Sequence, residues 1–417
     1  MLSKFAFFPK VYPDESLYSI VARYHKYSIG KTLKGTIEDI YGTRTISVSA
    51  EFPSHLEYLA NSLNDDHLTK EIILYEHTLY PYYEPFIFTK EQKDIKQKMF
   101  YDGGGAIKGE IGFLAGSLVK KECLYVCTEC IKEDILKYGE SYFRVAWQAQ
   151  GYLVCHKHNE VLIPYPVRQA DVGRITFIPL EHDLVNMSQS HINQNNGLLK
   201  ISKMINNILV GALRGFDADL LKNIYLKRLS ELDLLTVSKE ASYRKLLPLF
   251  NAHHSELLNL LDSEIDPSFE SSWFRKIIRT KVVKVHPIRH LLYIDYLFDD
   301  LNELCKFTKK KNRKKKYPCL NKICPKFKID LIENVVVTAD SKSREKVGTF
   351  KCPVCGYVYS RKLNSTNKYE KGRVKEFGTL FREELNRLND ISDMSLRGKA
   401  RYLGCDPNTV KKYNHLL

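Results

Sequence analysis

Apolar residues recur at helical spacing through most of the chain. Leu17, Ile20, Val21 and Tyr24 share one face of a helix expected to begin near Asp14, after an extended arm punctuated by proline. Residues 55–100 read as further helices broken at Pro81 and Pro85, with Tyr75, Tyr80, Tyr82 and Tyr83 as an aromatic packing cluster. Gly103, Gly104 and Gly105 mark a flexible turn before an amphipathic stretch that runs to Val119. The β-branched and aromatic content of residues 152–178 predicts short strands, and the polar residues 181–196 a linker. Residues 197–307 return to helical spacing. One stripe is Leu198, Leu199, Ile201, Ile205, Ile208 and Leu209, a second is Leu220, Leu221, Ile224, Leu226 and Leu229, and Leu246, Leu247, Leu257, Leu258, Leu260 and Leu261 continue the series. Residues 335–338, 347–350 and 357–359 alternate like strands. Three helices close the chain: residues 377–388, residues 395–403 capped by Ser395, and a last one opened by Pro407 after a turn at Gly404, Cys405 and Asp406. The pattern predicts a mostly α, multidomain chain with small β modules.

Composition fits that reading. With 417 residues, 44% hydrophobic and 12% aromatic, the chain has material for about three domains with real cores. Charge divides it. Residues 301–417 hold 28 Lys and Arg against 12 Asp and Glu, whereas residues 1–300 hold 36 against 37, out of totals of 64 and 49. The whole basic excess therefore sits in the last quarter, which points to a polyanion, above all DNA, as its partner. Seven positive charges crowd into eight residues at Lys309, Lys310, Lys311, Arg313, Lys314, Lys315 and Lys316. Such a run binds phosphates strongly and without sequence preference. Trp273, Phe274, Arg275 and Lys276, with Arg279 and Lys281, mix aromatics and cations in a way that suits either a DNA backbone or a solvated helix edge. No run of eighteen apolar residues and no apolar leader is present, so neither a membrane span nor a signal peptide is expected.

Seven of the ten cysteines carry metal-ligand spacing. Cys127-x2-Cys130 is followed by twenty-four residues and Cys155-x2-His158. Paired soft ligands around a short segment make a closed tetrahedral zinc site. Here it is a finger of three cysteines and one histidine whose interior bulk is Tyr142, Phe143, Val145, Trp147, Tyr152 and Leu153. Cys123 and His156 are the alternative ligands. Further on, Cys319-x4-Cys324, twenty-seven residues, and Cys352-x2-Cys355 flank strand-like segments and read as a four-thiolate zinc ribbon. Two Zn2+ ions per chain are expected, and metal-bound thiolates in so large a chain point to a reducing cytosol. Leu396, Ala400, Leu403, Val410 and Tyr413 can close a small core between the last two helices, which is helix-turn-helix grammar. Arg397 on the first of them, and Asn408, Thr409, Lys411, Lys412 and His415 on the second, are the candidate DNA contacts.

Catalytic chemistry finds little support. Gly30-Lys31-Thr32 would end a phosphate-binding loop, but the glycine required five residues earlier is His25. A zinc deaminase needs His-x-Glu before its Cys-x-x-Cys pair, whereas His158-Asn159-Glu160 comes after Cys127 and Cys130. No enzyme is expected.

The words around the first ligand set are familiar. Tyr125-Val126-Cys127-Thr128-Glu129-Cys130, Glu133-Asp134, Tyr138-Gly139-Glu140, Trp147, Cys155 and His158 resemble the TnsD/TniQ family, the target-site selectors of bacterial cut-and-paste transposons. Upstream, Phe8-Pro9, Tyr12-Pro13-Asp14-Glu15-Ser16-Leu17-Tyr18-Ser19, Ala22-Arg23, Pro53-Ser54-His55-Leu56 and Tyr75-Glu76-His77-Thr78-Leu79-Tyr80-Pro81 extend the resemblance over roughly the first 165 residues. Val285-His286-Pro287-Ile288-Arg289-His290-Leu291-Leu292 is similar to the family less specifically. The resemblance implies a TniQ-like domain over residues 1–180, and the residue patterns add a helical domain over 197–307 with a candidate helix-turn-helix, the basic run and ribbon over 308–365, and a helix-turn-helix over 366–417. It implies that the protein recognises double-stranded DNA at an attachment site. Its protein partner would be the AAA+ ATPase that bridges selector and transposase, in the bacterial cytoplasm at the nucleoid. The second reading is a shorter TniQ-type adaptor to a CRISPR effector, or a general zinc-containing DNA-binding regulator. The end at Leu417, on the final helix, is read as that of a truncated or short family member.

Overall fold

Ser16 starts the first helix. Its hydroxyl accepts from Ser19 N at 3.2 Å, the N-cap bond that satisfies an otherwise orphaned donor, and α1 runs over Leu17–Tyr27. The helix thus begins three residues after Asp14, which adopts a left-handed backbone (φ 57°) that an α-helix excludes. Glu15 and Arg23, both buried, are neutralised by their own ion pair at 3.0 Å, and Arg23 also reaches Glu140 at 2.5 Å.

The computed structural model describes residues 4–414 except 45, 47, 48, 102–106, 108, 110–120, 122, 169, 170, 172, 174, 237, 239, 269–271, 280, 310–315, 341, 342, 344, 366, 392 and 393. The glycine triplet at 103–105 and most of the amphipathic stretch after it lie outside these residues. The chain forms two compact units, Met1–Thr236 with Glu240–Lys309, and Lys310–Leu417 with Val237–Lys239.

In the first unit α1 is followed by α2 (Leu33–Tyr41), α3 (Leu56–Leu63), α4 (Lys70–Glu76), α5 (Tyr80–Tyr83) and α6 (Thr89–Phe100). Gly42 ends α2 at φ 70°, with the Tyr58 ring 2.7 Å from where a Cβ would sit, so only glycine fits there. Pro81 and Pro85 do more than break helices. Each stands in the first turn of a short one, α5 and the 3-10 turn Glu84–Phe86, and together these bury Tyr80, Tyr82 and Tyr83. Next come β1 (Tyr125–Val126), α7 (Thr128–Tyr138), α8 (Val145–Gln148) and β2 (Ile163–Pro164), with β1 and β2 paired antiparallel.

Beyond β2 and a Val154–Val161 bridge, residues 152–178 form no further strands among those described. Their apolar side chains, Tyr165, Phe177 and Ile178 among them, fill the core instead, and Ile178 N donates to Tyr18 Oη at 2.9 Å. Nor do residues 181–196 run free as a linker. Ile192 bridges Glu160, and the buried Asn193 donates to Asn159 Oδ1 at 3.0 Å.

Helices α9 (Asn196–Leu209), α10 (Ala218–Glu231), α11 (Tyr243–Leu260), α12 (Trp273–Ile278), α13 (Pro287–Phe298) and α14 (Leu301–Lys309) complete the unit. One hydrophobic core runs from Leu17 to Phe307. Gly151 shows how closely its parts meet: a Cβ there would lie 2.3 Å from Ile288 Cδ1 on α13. Trp273 and Phe274 are core residues and Arg275 lies 3.7 Å over the Tyr243 ring, so α12 is neither a solvated edge nor a free basic face. Among the described residues no helix is long and apolar enough to cross a membrane.

The second unit opens with β3 (Tyr317–Pro318) paired antiparallel to β4 (Asp330–Ile332), then an antiparallel sheet of β5 (Val335–Ala339), β6 (Lys346–Lys351), β7 (Val358–Lys362) and β8 (Val374–Glu376) in that order. Phe350 and Tyr359 face each other across β6 and β7 and stack at 4.9 Å. Helices α15 (Thr379–Ile391), α16 (Leu396–Leu403) and α17 (Pro407–Asn414) follow, and Phe381, Leu385, Leu388, Ala400, Leu403 and Val410 form their shared core. Leu396 is 41% exposed and takes no part in that core. Phe381, Leu385 and Leu388 of α15 contribute half of that core, alongside Ala400, Leu403 and Val410.

Two buried histidines predict the first unit's acid sensitivity. Burial pushes His286 and His290 down to about 3 from an ordinary 6.5. The unfolded chain takes up these protons as pH falls through 6.5, and the folded chain does not until about 3. Stability is therefore lost on acidification, by about 1.4 kcal/mol per pH unit for each histidine. Moving from pH 7 to pH 5 should cost about 4 kcal/mol from the pair. His290→Phe, which keeps the stack on Phe86 (4.8 Å), should recover about half of that, read as urea midpoints at the two pH values. Equal losses in both proteins would contradict the assignment.

Candidate metal centres and the basic region

Cys127 stands at the N-cap of α7 and Cys130 in its first turn, while Cys155 and His158 share a tight turn in which Asn159 N donates to Cys155 O at 2.9 Å. Asn159 closes this turn with a left-handed backbone, φ 53°. The four ligand atoms all lie within 4.8 Å of one another. Cys130 and Cys155 sulfurs are 3.8 Å apart, and His158 Nδ1 lies 3.4, 3.3 and 3.7 Å from Cys127, Cys130 and Cys155. Bonds of about 2.3 Å to sulfur and 2.0 Å to nitrogen in a tetrahedron place ligands roughly 3.5–3.8 Å apart. The set can hold a zinc-sized ion. His158 Nε2 meets Glu133 at 3.1 Å, which fixes the ring with Nδ1 toward the sulfurs. Neither alternative ligand joins the group: Cys123 lies outside it, and His156 Nδ1 is bonded to Tyr152 Oη at 2.6 Å.

Glu160 is the partner that spacing did not reveal. It is 2% exposed, with Oε2 2.9 Å from Cys127 Sγ and 3.2 Å from Glu129 N, and it accepts from Thr128 Oγ1 at 2.5 Å. The signal was present in His158-Asn159-Glu160, but the side-chain geometry that gives it a role is not a sequence property. On the opposite side Arg144, desolvated yet held charged by Asp134 (2.7 and 2.8 Å) and by the Cys130 sulfur, offsets the negative set. Sulfur–sulfur hydrogen bonds and burial push Cys127 well above the ordinary thiol range, while the bonds Cys155 accepts from Cys127 and Cys130 pull it well below.

The second set is wholly buried. Cys319 and Cys355 sulfurs are 3.7 Å apart, and all four ligand atoms again fall within 4.8 Å. The four-residue gap between Cys319 and Cys324 has a structural purpose. It buries Leu320 and Asn321, and Asn321 Nδ2 donates to Cys355 Sγ at 3.5 Å. The bond from Cys319, helped by this amide donor, pulls Cys355 down to about 5, whereas burial pushes Cys324 up to about 11. The opposite knuckle is closed by Gly356 N donating to Cys352 O at 3.0 Å. Gly378, at φ 79°, passes so close that a Cβ would lie 2.0 Å from Cys355 O.

Of the expected DNA contacts, Lys309 is exposed at the end of α14, and Lys316 is exposed and pairs with Glu333 at 3.0 Å. Lys310, Lys311, Arg313, Lys314, Lys315 and His415 lie outside the described residues. Arg397 is exposed in the first turn of α16. On α17 Asn408, Lys411 and Lys412 are exposed and Thr409 is half-buried, with Val410 turned into the core. Asp406 caps this helix, its Oδ1 accepting from Asn408 N at 2.8 Å.

A family model described as Tn7-like transposition protein D matches residues 201–417, and the TniQ model matches residues 6–162. The curated protein "Transposon Tn7 transposition protein TnsD" of Escherichia coli is 28% identical over 176 residues, which is 42% of this chain. The match spans 34% of that relative's length, about a third.

Metal analysis of the purified chain should find two tightly held zinc equivalents, one lost in Cys127→Ser and the other in Cys355→Ser. Asn321→Ala should keep both but weaken the second about 10–100-fold in competition with a chelator, as loss of an outer hydrogen bond to a ligand does. A folded chain with no bound metal would contradict the arrangement.

Proposed function

The chain belongs to the TnsD/TniQ family of transposition proteins, and on that premise we propose that it is a DNA-binding target selector of a Tn7-like transposon. It marks an attachment site on double-stranded DNA and recruits the AAA+ regulator that leads to the transposase. The observation that carries this reading is the coincidence of three features in one region. The Tn7-like transposition protein D match over residues 201–417 includes the basic excess, the four-cysteine set and the three-helix bundle. A TniQ-type adaptor alone needs none of these three, so the direct DNA reader is preferred.

The division of labour follows from the chemistry of each part. Residues 1–180 form the TniQ-like part, with zinc in the finger of three cysteines and one histidine, and face protein partners. Residues 197–307 are the helical middle part. Residues 308–365 join the basic run to a four-cysteine zinc ribbon. Residues 366–417 act as a helix-turn-helix, with α17 as the helix that enters the major groove. Both metals are structural: four protein ligands close each shell and leave no position for substrate or water. The protein is therefore a selector rather than an enzyme, working in the bacterial cytoplasm at the nucleoid. Footprinting of the full chain on host genomic DNA should reveal one protected site. No protected site, with the AAA+ partner still bound, would favour the adaptor.

Lysines at phosphates act as point charges, whereas side chains on a groove-bound helix meet base edges. Neutralising four of the lysines at 309–316 should weaken binding to target and non-target DNA alike. It should also flatten the salt dependence by a slope of about 0.9 for each phosphate left without its cation. Asn408→Ala or Thr409→Ala should cost about 1–3 kcal/mol on the target alone. Salt titrations on both DNAs check this. Equal losses on both DNAs for the α17 variants would move base reading to the middle helices.

A further inference from the structure

A third group of ligating side chains lies in the first unit, apart from both cysteine sets. Helix α11 leaves helical geometry at His254, where φ is −119° and ψ is 17°. On a regular helix neighbouring side chains diverge by about 100°, so His253 and His254 could not face one point. The break turns both toward Asp295 on α13. His253 Nε2 is 3.1 Å and His254 Nε2 3.6 Å from the same oxygen, Asp295 Oδ2. All three ligand atoms lie within 4.8 Å of one another. Nitrogen and oxygen ligands at about 2.0–2.2 Å around a four-coordinate ion stand roughly 3.3–3.5 Å apart, close to these separations. We infer that His253, His254 and Asp295 form a binding site for a divalent transition cation of the zinc class, with its remaining coordination open to solvent.

The surroundings support an ion that enters and leaves. His253 is 45% exposed at its side chain, while those of His254 and Asp295 are 2% and 7% exposed, so the site has one wet side and two fixed ligands. Burial pushes His254 down to about 4, which leaves an unprotonated imidazole at neutral pH. Two contacts compete. Lys200 Nζ lies 2.6 Å from Asp295 Oδ1, but it also pairs with the exposed Asp299 and leaves Oδ2 to the histidines. His254 Nε2 is 2.9 Å from Leu292 O, a bond it gives up when it turns its lone pair to a metal. Imidazole and carboxylate donors without thiolate select zinc, nickel or cobalt with moderate affinity, unlike the closed sulfur-rich sets. An ion held here ties the last turns of α11 to α13 within the core of the first unit.

The test uses the full chain with its cysteine sets loaded, dialysed against a weak chelator and titrated by calorimetry with Zn2+ and, separately, Ni2+. One further equivalent should bind. Its affinity should fall at least about tenfold in His253→Ala and in His254→Gln, as loss of a ligand does, and should hold or rise in Lys200→Ala, which removes the competing cation. Titrated with Co2+, the extra equivalent should add a ligand-field band without thiolate charge transfer. If His254→Gln fails to fold, the half-exposed His253→Ala and Lys200→Ala still decide the matter. No further equivalent, or one whose affinity is unchanged in His253→Ala, would mean that the three residues form a hydrogen-bonded charge network only, and would overturn the site. Neither result bears on DNA binding.

Discussion

Four ligand atoms within 4.8 Å of one another, three of them buried in the first set and all four in the second, are the constraint on which both units rest. Thiolates that close repel, and burial denies them water, so such a set persists in one of two states. Either most of its sulfurs stay protonated and share hydrogen bonds, or a divalent cation sits among them. In the first state shared hydrogen bonds raise some thiols and lower others, as with Cys127 and Cys319 pushed up and Cys155 and Cys355 pulled down. The second removes the repulsion altogether and adds binding free energy to folding, on the order of 10 kcal/mol in small fingers.

The consequence is sharpest in the second unit. Its sheet core is small: the four cysteines account for four of its nine buried members, with Leu320, Ile332, Phe350, Tyr357 and Tyr359 the rest. Its helices are tied to that core through close backbone approaches as well as through side chains such as Phe377 and Leu380. Gly378 lies against the Cys355 carbonyl just before α15, and the Lys322 chain from the knuckle loop runs under Gly404 at the end of α16. Phe377 and Tyr413 then join sheet and helices by an edge contact at 5.9 Å. A loosened knuckle would therefore reach α17, although no ligand lies on it.

What the sequence revealed and what it hid divide along a physical line. Ligand pairs are local, so the spacing of Cys127 with Cys130 and of Cys352 with Cys355 was legible, as were the strands at 335–338 and the Ser395 cap. Partners contributed from a distance were not. Glu133 and Glu160 approach the first set through a helix face and a turn, and Asn321 the second through the four-residue loop between Cys319 and Cys324. Periodicity also could not show that Gly151 packs on Ile288, or that Leu396 would stay out of the core of the last three helices. Of the short strands expected over residues 152–178 only β2 and a single bridge formed, for a related reason: β-branched and aromatic content reports burial, and burial against helices needs no ladder.

The chain thus handles charge in two distinct ways. In the first unit the balance is close to neutral, and its buried charges include close ion pairs, as Glu15 with Arg23 and Asp134 with Arg144. Matched charges carry no long-range field, so recognition by that unit rests on shape and on short-range contacts. Beyond residue 300 the excess of cations is unmatched within the chain, and its field reaches about a Debye length, some 8–10 Å, into solvent. A surface of that kind gathers a polyanion before any base is read, and that order of events is what a target selector requires. Under the proposed reading, specific contacts from the exposed face of α17 would then act on DNA already held, leaving the near-neutral first unit for a protein partner.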